Sequence, residues 1–547
     1  MRQKSSRREF AKYLGLASLG LWQGIDASGA PTHAAPNTPA LPQGTPAEIE
    51  KTEMLLRCAR ELREKFLKDP HRPKYHFLPP AGWMNDINGP IFWKGKYHIF
   101  YQCNPDEARW KQTIQWGHAS STDLVHWVHH PVALAPTPDG PDGAGCFSGC
   151  MVVNNGVPTI IYHGVPDGTC LATSQDDELI QWTKNSKNPV IRVPKPGDAE
   201  YGKYWVFDPS AWKHGEHWYV LCGRTDPAGG DTGYLFRSPD LINWQYLHPF
   251  YQSDRRWTEA DEDCAVPNFF PLGNKYMLLF GSHKHGTQYY LGLYAGDKFY
   301  PESHGRMCWP GGQQNGAITM LDGAGRRLFF NWVYEERTEA TQRAAGWAGV
   351  MALPRILSLA SDATLKVEPV PELQVLRLNY RQRQGLHVYA HSEIILDDIR
   401  GDCLEIAVEA ELADSEGFGL MVRCSPDGSE RTIIVYSPHA KTLSIDLSRS
   451  SLDPAIRYPS FSTGGIPQAG GSVQAQEAPF TLAANEPLKL RVFLDRSVLE
   501  VFANGRQCIT QRIYPSRGDS LGVGLCNAAG AVLVSSIAAW DMTPSGS

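Results

Sequence analysis

The segment Ser121-Thr122-Asp123-Leu124-Val125-His126-Trp127 returns twice along the chain, as Ser174-Gln175-Asp176-Asp177-Glu178-Leu179-Ile180-Gln181-Trp182 and as Ser238-Pro239-Asp240-Leu241-Ile242-Asn243-Trp244. Its tryptophans lie 55 and 62 residues apart, and Gly296-Asp297-Lys298-Phe299-Tyr300 is a weaker echo one period further on. A unit of that length holds four short strands, whose apolar face is buried only by stacking on the next unit. From residue 75 onward the sequence runs in short Tyr/Phe/Val/Ile-rich stretches broken by Gly, Pro, Asn and Asp, the pattern of an all-β chain. About five units fit between residues 75 and 360, which predicts a five-bladed β-propeller there. Tight Asp/Gly turns favour it over a solenoid.

The flanks read differently. Ser6-Arg7-Arg8-Glu9-Phe10-Ala11-Lys12 carries paired arginines ahead of a brief apolar stretch, Tyr13 to Trp22, which is too short to span a bilayer. Residues 1–35 are therefore expected to be a twin-arginine signal peptide that sends the protein to the periplasm or the medium. Residues 36–74 read as a linker followed by one amphipathic helix, with Ile49, Met54, Leu55, Cys58, Leu62 and Phe66 at helical spacing. Residues 361–384 look like a connector. Beyond them, Leu488, Leu490, Val492 and Leu494 alternate with polar residues, and Asn504-Gly505 is a hairpin turn. A β-sandwich is predicted over 385–547.

A formal charge of −6 leaves no basic surplus for phosphates, which argues against nucleic acid or an anionic membrane as partner. Later segments have no unbroken apolar run of membrane-spanning length, so no membrane insertion of the mature form is expected. Sixteen Trp and 22 Tyr are compatible with sugar-stacking platforms, though a large β core also uses aromatics. The 12 cysteines include no Cys-x-x-Cys pair, which argues against zinc. Their spacing assigns no disulfide; Cys146 and Cys150, four apart, are expected to share a sheet face.

In a propeller the first strand of each blade lines the central channel. Asp86 and Asp208 are 122 residues apart, two periods, and Glu262 follows 54 later, one period. Three acids from three inner strands would converge in one funnel. Paired carboxylates suit glycosidic cleavage: one un-ionised acid protonates the departing oxygen while the other attacks the anomeric carbon or activates water. Asp86 sits in Trp83-Met84-Asn85-Asp86-Ile87-Asn88-Gly89-Pro90, a strand end that also carries two amides.

That segment resembles glycoside hydrolase family 32, as do Phe100 to Pro105, Trp116 to Ala119, Cys146 to Gly149, Leu353 to Leu359 and Val492 to Phe502. The resemblance implies a five-bladed propeller with a C-terminal sandwich, retaining hydrolysis or transfer at β-fructofuranosides such as sucrose, inulin or levan, and no metal or other cofactor. It makes Asp86 the nucleophile and Asp208 the transition-state stabiliser. Asn85, Gln102, Trp110, Phe147 and Ser148 would hold the sugar. The chain departs from the family pattern in three places. Ile87 replaces a proline, Phe207 replaces the arginine before the second aspartate, and the third motif reads Glu262-Asp263-Cys264-Ala265-Val266-Pro267, with Ala265 where the family has its acid. The acid/base is then Glu262, carried in by a bulge, or Asp263. Other readings left open are a different furanoside and a carbohydrate-binding propeller without turnover. The partner expected is a small-molecule or polysaccharide fructoside; oligomeric state is not readable.

Overall fold

A computed structural model describes residues 57, 60–224, 230–413, 415–460 and 472–546. The signal segment, Cys58 and most of the expected helix lie outside the described residues; residues 60–68 are helical.

Five antiparallel sheets form the blades. Their first strands are Gly82–Trp93, Gly145–Asn154, Ser210–His214, Ala265–Leu272 and Gln314–Leu321. Each touches the first strands of the blades on either side, and the last touches the first, so the five close a ring around one axis. The ring is latched by Trp347–Ala348, which comes late in the chain and pairs in parallel with Gly82 and Trp83 of the first blade. A short helix of about two turns, Glu339–Ala345, delivers that latch; Thr338 caps its start and Gly346, at φ 81°, ends it.

The repeated motif is the turn between the third and fourth strands of a blade. In the first copy the Asp123 carboxylate accepts the N–H groups of Val125 and His126 at 3.0 and 2.8 Å. Leu124 adopts φ 65°, and its carbonyl accepts the Trp127 indole N–H at 3.1 Å. Asp176, Leu179 and Trp182 repeat this, as do Asp240, Leu241 and Trp244. The motif thus closes a hairpin corner and buries its leucine, leaving the inner strands free for other work.

Inner strands are where the regularity breaks. Register shifts fall between Met84 and Ile87, Cys146 and Gly149, Ala265 and Asn268, and Asn315 and Ile318. Each adds an unpaired step that re-aims the next side chains. One consequence corrects the cysteine expectation: the shift after Cys146 sends Cys146 and Cys150 into different cores rather than onto one face. All cysteines among the described residues are free thiols.

The expected connector is largely structured. Leu365–Pro369, with Leu365 and Val367 facing inward, is the outer strand of the fifth blade, and Arg377 already begins the sandwich after a 3-10 turn, Pro371–Leu376. Alternation over only five residues was too short to stand out in the sequence. The sandwich is two six-stranded sheets sharing one apolar core. Its Leu488–Asp495 and Val498–Ala503 hairpin faces the propeller. There His76 bonds both Asp495 (2.9 Å) and Glu500 (3.0 Å), and Glu500 also accepts from Arg355 at 2.7 Å.

Candidate active site

At one end of the propeller axis a cavity of about 250 Å³ receives residues from all five blades. It is smaller than the ~300–1,000 Å³ of pockets for drug-sized ligands, a size for one ring unit of a sugar rather than a stretch of polymer. The first blade supplies Asn85, Asp86, Gln102 and Trp110, and the second Phe147 and Ser148. The third gives Phe207 and Asp208, the fourth Ala265, Val266 and His283, and the fifth Asn315, Gly316, Trp332 and Tyr334. The register shifts of the inner strands fall at these positions: Asn85 and Asp86, Phe147 and Ser148, Val266, and Gly316 all sit inside one. In the third blade the same re-aiming is done by Asp208 itself, which takes φ 41° just ahead of its strand.

A relay of hydrogen bonds fixes the Asp86 carboxylate. The Trp83 indole donates to Asn85 (2.9 Å), the Asn85 amide to Gln102 (2.5 Å), the Gln102 amide to Ser148 (2.8 Å), and the Ser148 hydroxyl to Asp86 Oδ2 (2.6 Å). Gly316 backs the other side. It has φ 61°, and a side chain there would collide with the Asp86 carboxylate, so glycine is required both for the backbone and for the space. Asp208 Oδ2 accepts the Val266 N–H at 3.2 Å, while Oδ1 is buried with no partner among the described residues. The Trp332 indole N–H is likewise unmatched. Unsatisfied polar atoms on a cavity wall are what a hydroxylated ligand would complete.

Burial raises both acids. Asp86 lies above its ordinary range because it is desolvated, although the Ser148 bond and the charge of His283 pull the other way. Asp208 is pushed up to about 8 by burial and by the neighbouring Asp86 charge. The Asp86 charge disfavours a second anion beside it, so Asp208 retains its proton near neutrality.

Of the residues the sequence singled out, Asp86, Asp208, Asn85, Gln102, Trp110, Phe147 and Ser148 surround one cavity; Glu262 and Asp263 do not reach its lining. Glu262 is fully buried behind the fourth blade's inner strand. It accepts from the Glu259 N–H (2.9 Å), Gln288 (2.6 Å) and Arg306 (3.0 Å). Desolvation opposes its charge, but the Arg306 pairing outweighs it and holds the acid below its usual range. A carboxylate so bound is a structural anion. The expected bulge exists, but it lies between Ala265 and Asn268, downstream of Glu262, and aims Val266 instead. Asp263 is turned to His283, whose backbone N–H and Nδ1 it receives at 2.8 and 2.5 Å.

Sequence reasoning passed over His283, Asn315, Gly316, Trp332 and Tyr334. They lie on second strands or in the fifth blade, beyond the reach of the repeat. Phe207, noted only as a departure, forms an aromatic wall with Phe147 and His163, with centroids 6.2 and 5.1 Å away. Trp110 stands at the rim, 41% exposed and edge-on to Phe147. Among the described residues no group of three or more His, Cys, Asp or Glu is placed to hold a metal ion, and no helix is long and apolar enough to cross a membrane.

Comparison with known proteins resolves the family. Residues 76–369 match the N-terminal domain of glycosyl hydrolases family 32, and residues 372–541 match the C-terminal domain of that family. The chain belongs to glycoside hydrolase family 32. It is similar to a sucrose-6-phosphate hydrolase of Zymomonas mobilis, 30% identical over 88% of this chain and 94% of that protein. It is also 30% identical to the β-fructofuranosidase insoluble isoenzyme 4 of Oryza sativa, over 86% of this chain and 89% of the relative. Among solved structures, fructan 1-exohydrolase IIa of Cichorium intybus superimposes with a TM-score of 0.74 at 26% identity, covering 87% of this chain and 98% of that one. As a family 32 member the chain is a hydrolase of O-glycosyl bonds, with the propeller and sandwich of its relatives.

Proposed function

We propose that this glycoside hydrolase cleaves β-fructofuranosidic bonds in two retaining steps, with Asp86 as nucleophile and Asp208 as the group that grips the ring hydroxyls as charge develops. The observation that carries the reading is the relay ending on Asp86. A carboxylate oriented by Ser148 in a one-ring cavity is placed to attack an anomeric carbon, and relatives named for sucrose-6-phosphate, fructan and β-fructofuranoside hydrolysis point to fructosides. The anion forms an ester with the sugar as the leaving alcohol departs; water then cleaves the ester with the starting configuration restored. Asp208, still protonated near neutrality, donates to a ring hydroxyl through the oxygen that now has no partner. Asn85, Gln102 and Ser148 hold the sugar, and Trp110 caps it at the rim.

Fructose release from sucrose, inulin and levan, compared with Asp86→Asn, tests the reading; release that survives the substitution would remove Asp86 from the chemistry. A second reading keeps the mechanism and changes the sugar. Phe207 replaces a cationic hydrogen-bond donor with an apolar face, which suits a furanoside lacking a hydroxyl on that side. Activity confined to such a furanoside would decide for it.

We further propose that the protein leaves the cytoplasm by the twin-arginine route, to the periplasm or the medium. The paired Arg7 and Arg8 support this, as do described cysteines that are all unbonded, the state expected of a chain folded in a reducing compartment before export. Cell fractionation after replacing both arginines by lysine tests it; unchanged export would refute the route.

A further inference from the structure

The fourth blade poses a problem for any acid-assisted cleavage. Its inner strand brings Ala265 to the cavity where the family places a carboxylic acid, and Glu262 is sealed behind it with Arg306. Something else must protonate the leaving oxygen. Asp86 is the nucleophile and the Asp208 proton is given to a ring hydroxyl, so the remaining ionisable groups that line the cavity are His283 and Tyr334. Tyr334 is held well above its ordinary range by burial and remains a poor proton donor.

His283 is built for the task. It follows directly on Lys275–Ser282, the strand paired with the inner strand, and Ala265 lies opposite Gly281, two residues before it. The imidazole therefore comes from the strand beside the missing carboxyl. Asp263, 6% exposed, fixes the ring at Nδ1, while the ring itself is 52% exposed and its Nε2 has no protein partner among the described residues. The backbone N–H of His283 bonds the other oxygen of Asp263, so the loop and the ring are held by one carboxylate. This is the arrangement in which an aspartate fixes the tautomer and stabilises an imidazolium.

We propose that His283, positioned by Asp263, is the acid/base of this enzyme in place of a carboxylic acid. The inference rests on the fructosidase reading above. In the first step the Asp86 oxygen bonds to the anomeric carbon as the bond from that carbon to the leaving oxygen breaks, and the Nε2 proton passes to that oxygen. In the second step neutral Nε2 takes a proton from water as the water oxygen bonds to the anomeric carbon. As that bond forms, the bond from the anomeric carbon to Asp86 breaks, which returns the carboxylate and leaves the imidazolium. Partial desolvation opposes the imidazolium of this half-exposed ring, but the Asp263 carboxylate, with Asp208 and Asp86 adding to it when ionised, raises the group to about 9, so it is protonated across the neutral range. Two nearby residues point elsewhere: Lys284 pairs with Asp261, and His285 senses Glu262 and Arg306.

The test compares sucrose with 4-nitrophenyl β-D-fructofuranoside, whose leaving group needs no proton. His283→Ala should lose about 100- to 10,000-fold in kcat/KM on sucrose, the range typical of a general acid. On the aryl fructoside it should lose less than about tenfold in the nitrophenolate burst. Added azide should restore turnover of the aryl fructoside and yield fructosyl azide. In His283→Ala the component of the basic limb of the kcat/KM profile near 9 should vanish, leaving only the one that Asp208 sets near 8. In Asp263→Asn, which keeps the ring, that limb should move to lower pH, a shift that a purely structural role for Asp263 would not produce. Equal losses on both substrates, or full activity on sucrose, would overturn the proposal even with both variants folded. Wild-type protein inert on both sugars would overturn the fructosidase reading instead, and this one with it.

Discussion

At the seam between propeller and sandwich, His76, Arg355, Asp495 and Glu500 are buried, and all four carboxylate oxygens are matched. The N–H groups of Lys74, Tyr75 and His76 converge on Asp495, and those of Leu353 and Arg355 on Glu500. In the funnel, Asp86 and Asp208 are buried beside each other, and one Asp208 oxygen has no partner. Carboxylates withdrawn from water at both places are therefore driven in opposite directions. Seam acids fall below their usual range and His76 rises to about 9, while both funnel acids rise. Burial alone does not mark a functional site. What separates the two is whether the protein's own partners outweigh the cost of burial, as in the seam, or leave a carboxylate oxygen for a ligand to satisfy, as at Asp208.

The largest expected effect lies in the funnel. Asp86→Asn should cut kcat by on the order of 10⁴-fold or more while leaving Tm unchanged or higher, because it removes a carboxylate held out of water. A fall in Tm comparable to that of a seam variant would mean that Asp86 is structural. Next comes Glu500→Ala, which leaves Arg355 without its carboxylate and His76 with Asp495 alone. Breaking a buried pair from one side costs about 3–5 kcal/mol, so denaturant melts should show a loss of that order with kcat per folded molecule nearly intact.

The third contrast is in pH. The unfolded chain gives up an aspartate proton near pH ~4, but the fold keeps that of Asp208 until about 8. Its contribution to stability is thus fully present below about pH 4 and lost as pH rises toward 8. Asp495 and Glu500 have the opposite sign: their contribution is present above about pH 4 and lost as pH falls. The His76 contribution is complete below about pH 6.5 and is lost as pH climbs through about 9. Asp208→Asn should therefore flatten the decline of Tm between pH 4 and 8, and Glu500→Gln the rise from the acid side. Identical slopes in both variants and the parent would erase the distinction. The smallest effect belongs to the repeated corner. Asp240→Ala, which removes the side-chain acceptor of two backbone N–H groups, should cost about 1 kcal/mol, seen as a small drop in Tm with activity unchanged.

The repeat was legible because a closed corner needs specific chemistry: an aspartate to take two amides, a leucine at positive φ, and a tryptophan to reach its carbonyl. Those residues are local and periodic. Asp86 and Asp208 were legible for a related reason, since one lies on an inner strand and the other just ahead of one, two blade periods apart. Glu262 obeyed the same spacing and yet is a structural anion, because spacing places a residue in a blade but does not say which side of a register shift it falls on. His283 was hidden because its role depends on which strand pairs with the one bearing Ala265, a relation between segments that no local pattern records.

The register shifts of the inner strands bear on how such a site diversifies. Asn85, Asp86, Phe147, Ser148, Val266 and Gly316, which face the cavity, sit in short inserts, while the pairing on either side of each insert resumes undisturbed. An insert can exchange its side chains without renegotiating a ladder, much as a type slug is swapped within a locked frame. Ala265 borders one such insert, and Phe207 lies ahead of its strand beside the positive-φ Asp208; both departures stand next to an unaltered Asp86. A scaffold organised this way invites library design confined to the inserts, where altered specificity and a preserved melting temperature are separable goals.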